Sequence, residues 1–291
     1  MTSRLGLGTA PLGGLFEDVP AAQARATVET AWDLGVRLFD TAPLYGSGLA
    51  EERLGAALAG RPREEYIVST KVGRVLVPGR ADPHFHGAPD LQPVFDFSAA
   101  GVRGSLESSL TRLGLEQVDI ALLHDPDSQL DQARGAADVL RELVPRVGVG
   151  TNVVATALEL VRRAEVDVVL LAGRYTLLDR SAADELLPLC AEQGVEVIAA
   201  GVFNSGILAG GSTYEYETAA ADLLARRHVL EELCARYEVP LAAAAIQFPL
   251  RHPGVGSIVV GARSPGEISD DVGLLARPVP DGLWAELESC P

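Results

Sequence analysis

The chain has 291 residues, with 40 acidic side chains against 24 basic ones and a formal charge of −16. That balance offers no cluster of Lys and Arg to displace counterions from a nucleic acid or an anionic membrane, so the expected partner is a small molecule. At 47% hydrophobic and 22% charged the composition is that of a globular chain able to bury a large core, which excludes disordered, collagenous and coiled-coil classes.

Strand-like and helix-like runs alternate from the start. Arg4-Leu5-Gly6-Leu7-Gly8 opens a predicted strand at 4–9, and an amphipathic stretch at 21–34 follows it. Further strands are expected at 36–40, 66–71, 118–124, 147–151, 168–172, 195–200 and 257–261. Helices are expected between them at 50–59, 99–113, 132–144, 153–164, 181–192, 219–237 and 241–251. Val168 to Ala172, Val197 to Ala200 and Ile258 to Val260 are continuously apolar, the pattern of parallel strands buried on both faces. Parallel pairing needs a crossover after each strand, and each helix supplies one. Eight strands alternating with helices over roughly 250 residues fit a (β/α)8 barrel better than a doubly wound open sheet.

The segment 73–97 contains Pro78, Gly79, Pro83, Gly87, Pro89 and Pro93 and shows no periodicity. It is expected to be an irregular loop over the barrel rim, either a substrate lid presenting His84, Phe85 and His86 or a surface loop without a role. No apolar run approaches the ~18–20 residues of a membrane span, and Met-Thr-Ser-Arg-Leu-Gly is not the start of a secretory signal, so a cytoplasmic location is expected. Cys190, Cys234 and Cys290 are odd in number and far apart, which argues for structural thiols rather than disulfides or a metal site.

Several motifs are absent. Gly148-x-Gly150 and Gly6-x-Gly8 are followed at the third glycine position by Val153 and Pro11, so there is no dinucleotide fingerprint. No phosphate loop and no G-x-S-x-G elbow are present, and His84-Phe85-His86 lacks zinc-ligand spacing, so no metal is expected.

Of the 24 basic residues, 23 are arginine and one, Lys71, is lysine. It ends the predicted strand 66–71, where a barrel gathers its chemistry. The neighbouring strand ends supply Asp40, followed by Tyr45, then His124, and Thr151-Asn152. A capping Asp, a rim Tyr and a core His each have a structural explanation alone, but together the four form an acid–base set. A phenol with a pKa near ~10 is a poor proton shuttle at neutral pH, and an adjacent ammonium is expected to lower it. Asp40 would hold Lys71 protonated, and His124 would donate a hydrogen bond to a substrate oxygen.

Phe39-Asp40-Thr41-Ala42-Pro43-Leu44-Tyr45-Gly46, Ser69-Thr70-Lys71-Val72 and Leu123-His124-Asp125 resemble the signature segments of the aldo-keto reductase superfamily. Gly148 to Asn152, Ala172 to Asp179, Phe203 to Leu208 and Val260 to Pro265 resemble its L-fucose dehydrogenase, or D-threo-aldose 1-dehydrogenase, branch, which includes pyridoxal 4-dehydrogenase. The resemblance implies one barrel domain over 1–291 that binds an extended nicotinamide cofactor, with Asp40, Tyr45, Lys71 and His124 as the catalytic tetrad. It further implies that Thr151 and Asn152 face the nicotinamide, that Phe203, Asn204, Ser205, Gly206 and Leu208 wrap the pyrophosphate, and that Gly261, Arg263, Glu267 and Asp271 hold the adenosine end.

Departures from the family pattern stand at Ala172, where many members have Gln, and at Ala200, where an aromatic usually stacks, leaving Phe203 as the candidate. Members selective for the 2′-phosphate often carry Lys and Arg near the end of the last barrel strand, where this chain has Gly261 and Glu267. A carboxylate at Glu267, with Asp270 and Asp271 behind it, would repel a 2′-phosphate, so NAD is favoured, with NADP as the alternative. Ser264-Pro265-Gly266-Glu267 also reads as a capping box.

Members of the family usually precede the first strand with a short hairpin that plugs the barrel floor, whereas here Arg4-Leu5-Gly6-Leu7-Gly8 begins almost at residue 1. An open floor is expected, or one sealed by a neighbouring subunit or by the stretch containing Trp284. The implied activity is hydride transfer at C1 of an aldose to give a lactone, with pyridoxal oxidation or aldehyde reduction on the same site as alternatives. The assembly is expected to be a monomer or small homo-oligomer. Two competing readings are a Schiff-base aldolase, disfavoured by the Asp40 partner of Lys71, and a non-catalytic cofactor-binding sensor.

Overall fold

The computed structural model describes residues 4–163 and 165–290; the last residue of the predicted helix 153–164 lies outside them. Eight parallel strands close into a barrel: β1 (Leu5–Gly8), β2 (Leu38–Asp40), β3 (Ile67–Val72), β6 (Ile120–His124), β7 (Arg146–Thr151), β8 (Val168–Ala172), β9 (Glu196–Ala200) and β12 (Val255–Gly261). The expected (β/α)8 barrel is therefore present, with α1 (Ala21–Asp33), α2 (Leu49–Leu58), α3 (Ala99–Leu113), α4 (Leu130–Arg141), α5 (Val154–Arg162), α6 (Leu186–Gln193), α7 (Ala221–Arg236) and α8 (Leu241–Gln247) as crossovers.

Side chains alternate across each strand, and the register carries this alternation around the barrel. Leu7, Phe39, Val68, Val149, Val169 and Val260 point outward and are buried in the cluster shared with the helices. Leu38, Ile120, Leu122, Val168, Leu170, Ile198 and Val259 fill the interior. The same inward parity, continued to the strand ends, carries Asp40, Lys71 and His124 into the top layer. Gly150 makes room there, since a Cβ on it would lie 3.3 Å from Lys71 Cε.

Two expectations are corrected. Residues 73–97 are not an irregular loop: β4 (Arg74–Pro78) and β5 (Leu91–Phe95) form an antiparallel hairpin, with Leu76 opposite Pro93. Proline is tolerated there because neither strand has a second neighbour that needs its missing N–H. Leu38, Ile120, Val168 and their neighbours form a buried apolar layer inside the barrel, above its floor. Trp284 does not seal it; it packs with Leu230, Leu233 and Phe248 in a second cluster outside the barrel. A small hairpin of β10 (Thr213–Tyr214) and β11 (Glu217–Thr218) and two further helices, α9 (Pro265–Ala276) and α10 (Asp281–Ser289), complete the chain.

Candidate active site

Asp40 and Lys71 end adjacent strands on the same inward face. Lys71 Nζ donates to Asp40 Oδ2 at 2.6 Å, to the Thr41 carbonyl at 3.0 Å and to Tyr45 Oη at 3.0 Å, so all three of its N–H bonds have partners. The second oxygen of Asp40 accepts from Ser69 Oγ at 2.6 Å. Both charged groups are almost fully buried, Lys71 at 2% exposure and Asp40 at 3%. Burial, the largest influence on Lys71, pulls its pKa down, but Asp40 and Tyr45 outweigh it and hold the ammonium above its ordinary value.

Tyr45 is fixed by its backbone. Its N–H donates to the Ala42 carbonyl at 3.0 Å, and Gly46, at φ 62°, passes so close to Gly13 that a Cβ would lie 2.3 Å from the Gly13 carbonyl oxygen. The ring is stacked by Phe85 at 6.3 Å and meets His124 edge-on at 6.1 Å. Burial pushes the phenol up to about 12. The expectation of a lowered phenol is thus corrected: Lys71 does act downward, but the loss of water outweighs it.

His124 is held well below the ordinary imidazole value, first by burial and then by the charges of Lys71 and Arg74, so it is neutral at pH 7. Its Nδ1 is buried without a hydrogen-bond partner among the described residues, and its Nε2 lies 3.5 Å from Asp125 Oδ2.

A second buried group supports the tetrad. Glu51, fully buried on α2, accepts from Thr70 Oγ1 at 2.6 Å and from Arg112 Nε at 2.7 Å. It ties the helix that follows Tyr45 to the strand that carries Lys71. Sequence reasoning missed it because Glu51-Glu52 reads as ordinary surface charge in a first helical turn.

A cavity of about 550 Å³ runs from Asp40 and Tyr45 to Gly261 and Arg263. Asn152, Phe203, Asn204, Ser205 and Gly206 line it, as do Ala172 and Ala200. Thr151, Leu208, Glu267 and Asp271 do not. Thr151 follows the inward Gly150 and so faces outward, where its hydroxyl donates to Asp127 Oδ1 at 3.0 Å and accepts from the Val153 N–H at 2.9 Å. Leu208 is buried in the second apolar cluster.

Glu267 completes the start of α9. Its N–H donates to Ser264 Oγ at 3.2 Å, and its carboxylate accepts from the Arg263 N–H at 2.8 Å and lies 3.2 Å from Arg263 Nε. Arg263 is also paired with Glu17 at 2.9 Å. Burial, with Glu267 and Asp270 adding to it, raises Asp271 to about 7.

The cavity suits a dinucleotide. Asn204, Ser205 and Gly206 have successive positive φ angles of 45°, 58° and 100°, an uncommon run of left-handed backbone in the cavity wall. Asn204 Nδ2 donates to the Gly173 carbonyl at 3.2 Å, while its Oδ1 is buried without a partner among the described residues. Arg174 and Arg263 bring positive charge to the same walls.

Other lining residues were not foreseen. Phe16 and Tyr216, both at positive φ, approach to 5.8 Å between ring centres. Arg174 donates to the Asn152 carbonyl at 2.7 Å and pairs with Asp179 and with Glu215 of the β10–β11 turn. Phe16 and Tyr216 depend on a contact between distant loops that no local signal marks, whereas Arg174 lies within the motif stretch Ala172 to Asp179 and is not singled out there.

Comparison with known proteins agrees with this geometry. The family model described as "Aldo/keto reductase family" matches residues 4–291. A D-threo-aldose 1-dehydrogenase from Pseudomonas sp is 42% identical, with 97% of this chain and 92% of the relative covered. A pyridoxal 4-dehydrogenase from Microbacterium luteolum is 40% identical over 98% and 93%. Among solved structures, an aldo-keto reductase from Bacillus halodurans in its holo form superposes with a TM-score of 0.81 at 26% identity, covering 99% of this chain and 92% of that one.

Proposed function

The chain belongs to the aldo/keto reductase family of oxidoreductases, which use nicotinamide cofactors, and from that premise we propose that it oxidises an aldose at C1 to the lactone. The observation that carries this reading is the relay Asp40–Lys71–Tyr45, a buried ion pair with Tyr45 Oη 3.0 Å from the ammonium, at one end of a cavity of about 550 Å³ that reaches Gly261 and Arg263.

Asn152, Phe203, Asn204, Ser205, Gly206, Gly261 and Arg263 would hold the cofactor along the cavity, and when bound it accepts the C1 hydride. The protein's own residues handle the proton. Tyr45 first releases its own proton to solvent, giving a phenolate that Lys71, kept charged by Asp40, stabilises, and the phenolate then takes the proton of the C1 hydroxyl. Neutral His124 contributes a hydrogen bond to the substrate oxygen without adding a competing charge. Carbonyl reduction uses the same groups in reverse, with the Tyr45 proton donated. A Schiff-base route needs a neutral amine, and Lys71 is held charged.

NAD is the proposed cofactor in preference to NADP. Arg263, the cation at that end of the cavity, is already paired with Glu17 and Glu267, and Asp270 follows, so a 2′-phosphate would meet an excess of carboxylates. A second substrate reading, pyridoxal, is favoured by the aromatic faces of Phe85 on Tyr45 and of Tyr216 on the cavity wall.

An absorbance assay of NAD and NADP with L-fucose, D-arabinose, L-galactose, pyridoxal and simple aldehydes separates these readings. Aldose-dependent formation of NADH is expected. Turnover of pyridoxal alone would replace the aldose reading, and cofactor binding without turnover of any substrate would indicate a sensor.

A further inference from the structure

The tetrad leaves one charged pair beside it without a role. Arg74, the first residue of the β4–β5 hairpin, donates from Nη2 to Asp125 Oδ2 at 2.7 Å, and the same oxygen lies 3.5 Å from His124 Nε2. This carboxylate therefore borders the imidazole whose ring meets Tyr45 edge-on. The pair is partly open, with side-chain exposures of 20% for Arg74 and 32% for Asp125. Two nitrogens around it, His124 Nδ1 and Arg74 Nε, are buried without hydrogen-bond partners among the described residues. Unpaired buried polar atoms are uncommon because each forfeits its hydration, so this corner beside the tetrad carries more polar groups than its own hydrogen bonds satisfy. Asp125 also holds a positive φ of 45°, an uncommon conformation for a residue with a side chain.

From this placement we infer that Arg74 and Asp125 are specificity-determining residues that read hydroxyl groups of the substrate next to its reacting carbon. A carboxylate accepts from a hydroxyl and a guanidinium donates to one, so the pair complements a vicinal diol. A simple aldehyde offers neither partner. The chemical class selected is a polyhydroxylated substrate, and the selecting charge comes from a hairpin outside the barrel strands. This inference rests on the aldose reading of the site.

The test compares Asp125→Asn with the wild-type protein on two substrates: the aldose that the wild type oxidises fastest among L-fucose, D-arabinose and L-galactose, and butanal in the reductive direction. Asn keeps the shape, tolerates the positive φ and removes the charge. The ratio of kcat/KM for the aldose to that for butanal is expected to fall about 10- to 100-fold, mostly through the aldose KM. Arg74→Gln, tested from the other side of the pair, is expected to move the ratio in the same direction, and thermal melting checks that both variants fold. Equal losses on both substrates would assign Asp125 to positioning His124 and overturn the inference, as would an unchanged ratio. A wild-type protein that oxidises no aldose would instead overturn the underlying reading.

Discussion

At the tetrad end of the cavity, each chemical group sits at or just beyond the end of a barrel strand and is held by short bonds: Lys71 by three acceptors, Asp40 by Lys71 and Ser69, and Thr70 by the buried Glu51. At the opposite end the walls are loops, with Asn204, Ser205 and Gly206 in left-handed backbone and Arg263 shared between Glu17 and Glu267. The first region is rigid because strand register sets it. The second depends on turns whose shape comes from contacts far along the chain, such as Arg174 with Glu215. Changes at the first end should therefore damage chemistry, and changes at the second should damage cofactor affinity.

The largest expected effect is at the relay. Tyr45→Phe removes the proton carrier and should lower kcat by about 10²- to 10⁴-fold, measured at saturating cofactor. A loss that appears only in cofactor affinity would blur the division between the two ends.

The raised phenol gives a pH signature. With Tyr45 near 12 the proton stays on below that pH. Reduction, which needs the protonated phenol, should vary little between pH 6 and 9 through this group. Oxidation needs the phenolate, so its rate should climb with pH, by about tenfold per unit where proton transfer limits. Matched pH profiles in the two directions check this.

At the cofactor end, Asn204→Asp keeps the shape and tolerates the positive φ but places a charge beside the expected pyrophosphate. The dissociation constant for NAD, read by fluorescence titration, should rise about tenfold, with the loss in affinity exceeding that in kcat.

The smallest effect concerns stability. Asp271 has its folded pKa raised from 3.8 to about 7, so the folded form holds a proton that the unfolded chain releases between those values. Stability from this group is lost as pH rises through that window. Asp271→Asn should raise the melting temperature by about 2–4 °C at pH 8, with the gain shrinking toward pH 4.

The same contrast explains what could be read in advance. Apolar strand runs and their spacing disclosed the barrel, and the strand ends disclosed Asp40, Lys71 and His124, because pleat parity is a local property. Thr151 could have been placed by the same parity, since the inward Gly150 requires its neighbour to face outward. The β4–β5 hairpin was hidden by prolines and by the long segment between its strands. Phe16 and Tyr216 were hidden because their positive φ angles and their mutual contact join loops some 200 positions apart.

Lys71 offers the most direct test of the division. Arginine is the basic residue everywhere else in the chain, yet its planar fork cannot reproduce three divergent bonds to Asp40, Thr41 and Tyr45. Lys71→Arg should therefore lower kcat for aldose oxidation by at least about a hundredfold, while the dissociation constant for NAD, measured on the same preparation, stays within about threefold of the wild type, a free-energy change of under ~1 kcal/mol. Turnover retained with arginine, or a loss confined to cofactor binding, would contradict the account.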